Sequence, residues 1–164
     1  MKRWPHPADR RAGQRGAAAL EFALVAIPLL TLLSGITELG RALYYYNTLA
    51  KSTRDAARLM STQTPTDPDY AALTTRATCT AVYGNSACTG NPLLPGLTTA
   101  MVSMCDRASC PATHAAVPTG TGVINLVTVT VGAASAYAFQ AIVPFFAPSL
   151  FNFNAISVTM RQSL

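Results

Sequence analysis

Glu21 is the first residue whose type and position call for chemistry. It lies in "RGAAALEFALVAIPLL", residues 15–30, a stretch otherwise apolar once past Arg15 and Gly16. An isolated carboxylate in hydrocarbon costs roughly 2.5–3.5 kcal/mol at mid-helix and less near the interface. Glu21 should therefore meet a positive partner or reach water. A second group is Cys79, Cys88, Cys105 and Cys110, with His114 close behind. An even cysteine count confined to one part of a chain reads as a disulfide framework with three connectivities. Loop closure favours near neighbours, Cys79–Cys88 with Cys105–Cys110, and Cys88–Cys105 with Cys79–Cys110 is the rival. Zinc is the alternative use of these residues. The spacing C-x8-C-x16-C-x4-C lacks tight pairs at both ends, and no metal is expected. A nucleophile built from Cys105 or Cys110 with His114 is removed once the cysteines pair.

Beyond the long N-terminal pattern the carboxylates are only Asp67, Asp69 and Asp106. The chain has no Gly-rich phosphate loop, no G-x-S-x-G elbow and no paired-carboxylate signal. Neither enzymatic activity nor a cofactor is expected.

The elements that would position these groups begin with a membrane span. Of 164 residues 50% are apolar and 12% charged, about half the charged share of an ordinary globular chain. The formal net charge of +5 is concentrated at one end: Lys2, Arg3, Arg10, Arg11 and Arg15 face only Asp9 within residues 1–16. Nucleic-acid binding would need Lys and Arg on a folded face. Here they precede an apolar run, where they act as a topogenic signal holding that end in the cytoplasm. From Ala17 to Thr37 only Glu21 is charged, which matches the ~20 residues needed to cross a bilayer. A removable secretory signal would end in an A-x-A-like site, and "SGITELGRALYYYNTLAKS" offers none.

That stretch reads as continued helix. Leu39, Leu43, Tyr46, Ala50, Thr53, Ala57 and Met60 recur in threes and fours and share a face. Pro65 and Pro68 end the pattern. A helix over 17–61 would be roughly 67 Å long, with Pro28 removing one backbone donor. Tyr44, Tyr45 and Tyr46 would form an aromatic interface belt or cover the soluble domain. The expected divisions are a leader at 1–16, the span with its amphipathic extension at 17–61, and an exported domain at 62–164.

The exported part lies in an oxidising space. Asp67 and Pro68 read as N-cap and first position of a helix over 69–82. Residues 84–96 are turn-rich, "LTTAMVSMC" reads as strand and "PATHAAVPTGTG" as loop. "VINLVTVTVGAASAYAF" carries the best strand alternation, and "FNAISVTMRQS" supplies another strand. Between them "AIVPFFAPSLF" is an apolar, Pro-broken segment, either packed or a contact patch. The fold class is α+β: a long transmembrane helix continuing into a small domain with an antiparallel sheet of three or four strands.

With these residues in view, the basic leader, Gly16 and Ala-Ala-Ala-Leu-Glu21-Phe22 resemble a class III signal cut by a prepilin peptidase. The resemblance implies a cut between Gly16 and Ala17, with Glu21 at the fifth mature position. The longer run at 15–61 resembles the TadE-like family, pseudopilins of the tight-adherence (Flp pilus) system. The shared features are R-G-A-A-A-x-E-F, Pro28, the G-x-x-E-x-G-R run at Gly35–Arg41 and Ala-Ala-Arg at Ala56–Arg58. Residues 62–120 carry none of it. The resemblance implies a pilin-like arrangement and a minor pseudopilin or assembly component of a system related to type II secretion. It also implies a single-pass protein of the bacterial inner membrane, N-terminus cytoplasmic, domain outside. Its partners would be a prepilin peptidase, other pilins or pseudopilins and the assembly platform, with Glu21 against the Ala17 amine of its own or an adjacent subunit. The alternative is an uncleaved, signal-anchored envelope protein with an exported binding domain.

Overall fold

The computed structural model describes residues 10–142 and 152–163. The chain divides into two units, Met1–Gly40 and Arg41–Leu164. The expected leader residues 1–9, and 143–151 of the apolar Pro-broken segment, lie outside the described residues.

Helix α1, Arg10–Ser61, starts within the predicted leader and passes through Pro28 without ending. In the first unit its side chains from Gly16 to Leu33 are almost all exposed. Among the described residues it is the one helix long and apolar enough to cross a membrane. In the second unit α1 has a buried face of Ala42, Leu49, Thr53, Ala56, Ala57 and Met60. This corrects the expected stripe at its start, because Leu39, Leu43 and Tyr46 are exposed. The packed row runs through Ala42 and Leu49, about one residue round the helix from the apolar pattern. The last turn is closed locally: Ser61 and Thr62 hydroxyls donate to the carbonyls of Arg58 and Leu59 at 2.8 and 3.0 Å. These bonds supply donors that the helix end lacks.

Helix α2, Tyr70–Tyr83, has Asp69 rather than Asp67 at its N-cap. The Asp67 carboxylate instead accepts from the Asp69 N–H at 2.9 Å, the side-chain turn that Asp favours over capping. Gly84 ends the helix at φ 72°, the left-handed position glycine takes most readily.

A 3-10 turn at Thr99–Met101 leads into β1, Val102–Cys105. The segment read as loop at 111–122 contains a short helix, α3, Pro111–His114, and a two-residue strand, β2, Val117–Pro118. Pro111 is at the helix start, where its missing N–H costs nothing. Strand β3, Val123–Val131, is the centre of a four-stranded antiparallel sheet that pairs it with β1, β2 and β6, Ile156–Gln162. Its longest pairing runs from Asn125 opposite Gln162 to Val131 opposite Ile156. Strands β4, Tyr137–Ala138, and β5, Asn152–Phe153, form a separate pair.

The alternation of β3 decides its two faces. Val127, Val129 and Val131 enter a core shared with Leu49, Ala56, Ala57 and Met60 of α1 and Ala77, Ala81 and Val82 of α2. On the other face Thr128 bonds Thr159 at 2.8 Å and Thr130 bonds Ser157 at 2.9 Å, hydroxyl to hydroxyl across β3 and β6. The small alanines allow the core elements to approach closely. The fold is α+β, a long apolar N-terminal helix followed by a small domain with a four-stranded antiparallel sheet.

Candidate functional site

Gly16, Ala17, Glu21 and Phe22 all lie on α1 and are exposed. Ala17 and Glu21 are four residues apart, hence one above the other on the same side of the helix. A Cβ added at Gly16 would meet nothing within 4 Å. Glycine is therefore not required there by the chain's own packing. An exposed apolar stretch of α1 that carries one carboxylate, Glu21, can be held by lipid or by another helix.

The cysteines are placed by α2, the loop after it and the β1–α3 connection. Cys79 is bonded to Cys88 and Cys105 to Cys110, with Cα–Cα distances of 4.9 and 5.5 Å. Both are ordinary disulfide separations. Asn85 organises the loop within the first bridge, its side-chain oxygen accepting from the N–H groups of Ala87 and Thr89 at 3.1 and 3.2 Å. Beside the second bridge, His114 Nδ1 lies 3.5 Å from Cys105 Sγ and 2.7 Å from the Thr113 hydroxyl. Its Nε2 meets the Thr128 hydroxyl at 2.7 Å. The ligand atoms of Cys105, Cys110 and His114 fall within 4.8 Å of one another. Bonded to each other, however, the two sulfurs offer neither thiolate ligands nor a nucleophile.

Two arrangements were not visible in the sequence. The Tyr70 hydroxyl donates to the Asp106 carboxylate and accepts from Gln162 Nε2 at 3.2 Å. Asp106 also accepts from the N–H groups of Ala108 and Ser109 at 2.9 and 2.7 Å. Burial alone would raise the Asp106 pKa, but hydrogen bonds from Tyr70 and Ser109 outweigh it and hold the carboxyl below its ordinary value. Burial, with the Asp106 bond second, pushes the Tyr70 phenol up to about 12. Among the described residues the buried Gln162 side-chain oxygen meets no hydrogen-bond donor.

The second arrangement is aromatic. Tyr45, Tyr46, Tyr137, Phe139 and Phe153 form a continuous set of ring contacts at 5.3–6.4 Å between centroids. The Arg41 guanidinium lies 5.2 Å from the Phe139 ring centre and 5.6 Å from that of Tyr45. The Tyr137 hydroxyl donates to the Pro95 carbonyl at 2.8 Å, and burial raises its pKa to about 12. The only sequence signal for this cluster was the Tyr44–Tyr46 run. Tyr45 is half-buried in the cluster, whereas Tyr44 and Tyr46 are exposed and each meets it through one ring contact, with Tyr45 and Phe153 respectively.

An exposed apolar stretch of α1 that follows Gly16 and carries Glu21 is the local pattern to be compared with known proteins. Residues 16–58 match the TadE-like protein family. The match covers the apolar segment and most of the buried face of α1, and it ends before the disulfide-bonded region. No curated protein and no solved structure matches the chain. The likeness is confined to residues 16–58, which lie within the helix that is long and apolar enough to cross a membrane.

Proposed function

We propose that this chain is a minor pseudopilin, an assembly component of a tight-adherence (Flp-type) pilus system and not an enzyme. A prepilin peptidase cuts it between Gly16 and Ala17, and the N-terminal helix anchors it in the bacterial inner membrane. The leader faces the cytoplasm and the disulfide-bonded domain lies outside, where both bridges persist. Its partners are other pilins or pseudopilins and the assembly platform. The observation that carries this reading is the TadE-like match, which begins at Gly16, the residue after which the cut is expected.

Cleavage supplies a reason for Glu21. The new Ala17 ammonium group lies one turn away at similar membrane depth, so a carboxylate and a cation share the cost of desolvation.

Co-expression with a prepilin peptidase tests the reading. Mass spectrometry of the product should give an N-terminus at Ala17, lost on Gly16→Leu. An intact Met1 terminus would overturn it in favour of an uncleaved, signal-anchored envelope protein.

A further inference from the structure

We infer that in its thiol form the chain holds one zinc ion at Cys105 Sγ, Cys110 Sγ and His114 Nδ1. The metal and the Cys105–Cys110 bridge are then alternative states of the same two sulfurs. The inference goes beyond the pseudopilin reading and does not depend on it.

The cysteine spacing lacks the tight pairs of a four-cysteine site, but the fold brings in a third ligand of another type. Cys105 ends β1 directly opposite Thr128 of β3. His114 ends α3, and its Nε2 meets the hydroxyl of that same Thr128 at 2.7 Å. The His114 N–H donates to the Cys110 carbonyl at 3.0 Å. The three ligand atoms lie within 4.8 Å of one another. This frame does not need the S–S bond to hold it. The Cys110 N–H donates to the Asp106 carbonyl at 2.8 Å. Asp106 Oδ1 accepts from the Ala108 N–H, the Ser109 N–H and the Ser109 hydroxyl at 2.9, 2.7 and 2.8 Å. The Ser109 oxygen accepts from the Asp106 N–H at 3.0 Å. Hydrogen bonds therefore close the turn between the two cysteines, and opened thiols stay side by side.

The distances fit the metal. Zn–S bonds of about 2.3 Å and Zn–N bonds of about 2.0 Å, set at a tetrahedral angle, place sulfur and nitrogen about 3.5 Å apart. Cys105 Sγ lies 3.5 Å from His114 Nδ1. The two sulfurs must stand about 3.8 Å apart on the same geometry, which opening the bridge permits. An imidazole protonated at Nε2 donates to Thr128 and turns its Nδ1 lone pair toward the sulfur, the outer hydrogen bond that orients a ligating histidine. The Thr113 hydroxyl, 2.7 Å from Nδ1, gives up that contact and keeps the Cys110 carbonyl at 3.4 Å. Two thiolates balance the charge of the ion, and the half-buried ligands leave the fourth position to water. A chain made in a reducing compartment carries thiols from the start. Zinc then displaces two thiol protons to solvent as two Zn–S bonds form. From the oxidised chain a dithiol is needed. Its thiolate breaks the S–S bond, and its second sulfur displaces the mixed disulfide. The reductant leaves as a disulfide, and the protein sulfurs gain two electrons and two protons.

The test uses the full chain in detergent micelles, reduced with a dithiol, desalted without oxygen and dialysed against zinc chloride. The reduced chain should retain one zinc per molecule and the oxidised chain none. Alkylation followed by peptide mapping locates the ion: zinc should slow modification of Cys105 and Cys110 at least about tenfold and leave Cys88 unchanged. His114→Gln should weaken zinc binding at least about tenfold while the far-ultraviolet circular dichroism is kept. If that variant does not fold, Thr113→Ala serves in its place. It removes the hydroxyl that competes for Nδ1 and should bind zinc at least as tightly as the natural chain. Four results each overturn the site: no zinc on the reduced chain, equal protection of Cys88, natural affinity in folded His114→Gln, or weaker binding in Thr113→Ala.

Discussion

The hydroxyl of Tyr70, at the start of α2, donates to the carboxylate of Asp106, just beyond β1, across 36 positions of sequence. The bond ties the second helix to the connection that carries the Cys105–Cys110 bridge. Hydrogen bonds to a charged group contribute about 1.5–3 kcal/mol. Tyr70→Phe removes this one, and with it the acceptor of Gln162 Nε2. The urea midpoint of the domain should fall by an amount equivalent to about 2 kcal/mol, with the slope unchanged.

The same carboxylate sets an acid limit on stability. The folded-state pKa of Asp106 lies below its ordinary value of 3.8. The unfolded chain therefore binds the proton more readily, and the contribution is complete above that ordinary value. It disappears as pH falls through the lowered folded pKa. The stability gap between the natural chain and Asp106→Asn should be full at pH 7 and should narrow below about pH 4. Thermal melts of both proteins across pH 2–7 measure it, and a gap independent of pH would remove the charge from the account.

The two bridges should contribute unequally. They close segments with sequence separations of 9 and 5, and the entropy lost by the unfolded chain grows with loop length. The expected losses are about 3 kcal/mol for Cys79→Ala with Cys88→Ala and about 2 kcal/mol for Cys105→Ala with Cys110→Ala. Peptide mapping without reduction should recover 79–88 and 105–110 as linked pairs. Recovery of 88–105 would refute the connectivity.

Much of the fold was legible because its signals are local. The alternation at 123–131 and the near-neighbour cysteines each depend on a few adjacent residues, and β3 and both bridges lie where those residues placed them. Signals that depend on geometry across the fold were missed. The apolar row at Leu39, Leu43 and Tyr46 predicted a packed face, but packing selects the row through Ala42 and Leu49, whose smaller members admit neighbouring elements. Asp67 had the residue type of an N-cap, yet its side chain turns back to the Asp69 N–H. Tyr70, Asp106 and Gln162 share no motif, and only the sheet brings Gln162 to Tyr70. Residues 16–22 lie at the start of the TadE-like match and are exposed on α1, so their pattern is read from sequence and not from packing.

Gly84 ends α2 at φ 72° and donates its N–H to the Thr80 carbonyl at 3.0 Å. A side chain there enters a region that costs L-residues about 1–2 kcal/mol. A Cβ would also approach Leu93 Cδ2 to 3.1 Å, although Leu93 is partly exposed and can rotate away. Gly84→Ala should therefore lose about 1 kcal/mol in chemical denaturation while keeping both bridges. Gly84→Asn should lose less, since Asn tolerates the left-handed conformation better. Equal losses for the two variants would point to the contact with Leu93 in place of the backbone.

Glu21 is exposed on α1, four residues from Ala17 on the same helix side. If its role is to pair with the ammonium group released by cleavage, Glu21→Val separates two steps that the natural residue links. Valine favours the membrane, so insertion should be preserved. Gly16 is unchanged, so the Ala17 terminus should still form. Assembly should then fail, because the mature amine is left at membrane depth without its counter-charge. Membrane fractionation, N-terminal mass and a pilus count measure the three steps in one strain. Glu21→Asp, shorter by one methylene but still charged, should recover part of the pilus count. Normal piliation in Glu21→Val would show that the carboxylate reaches water at the headgroups and that the amine needs no partner from this chain.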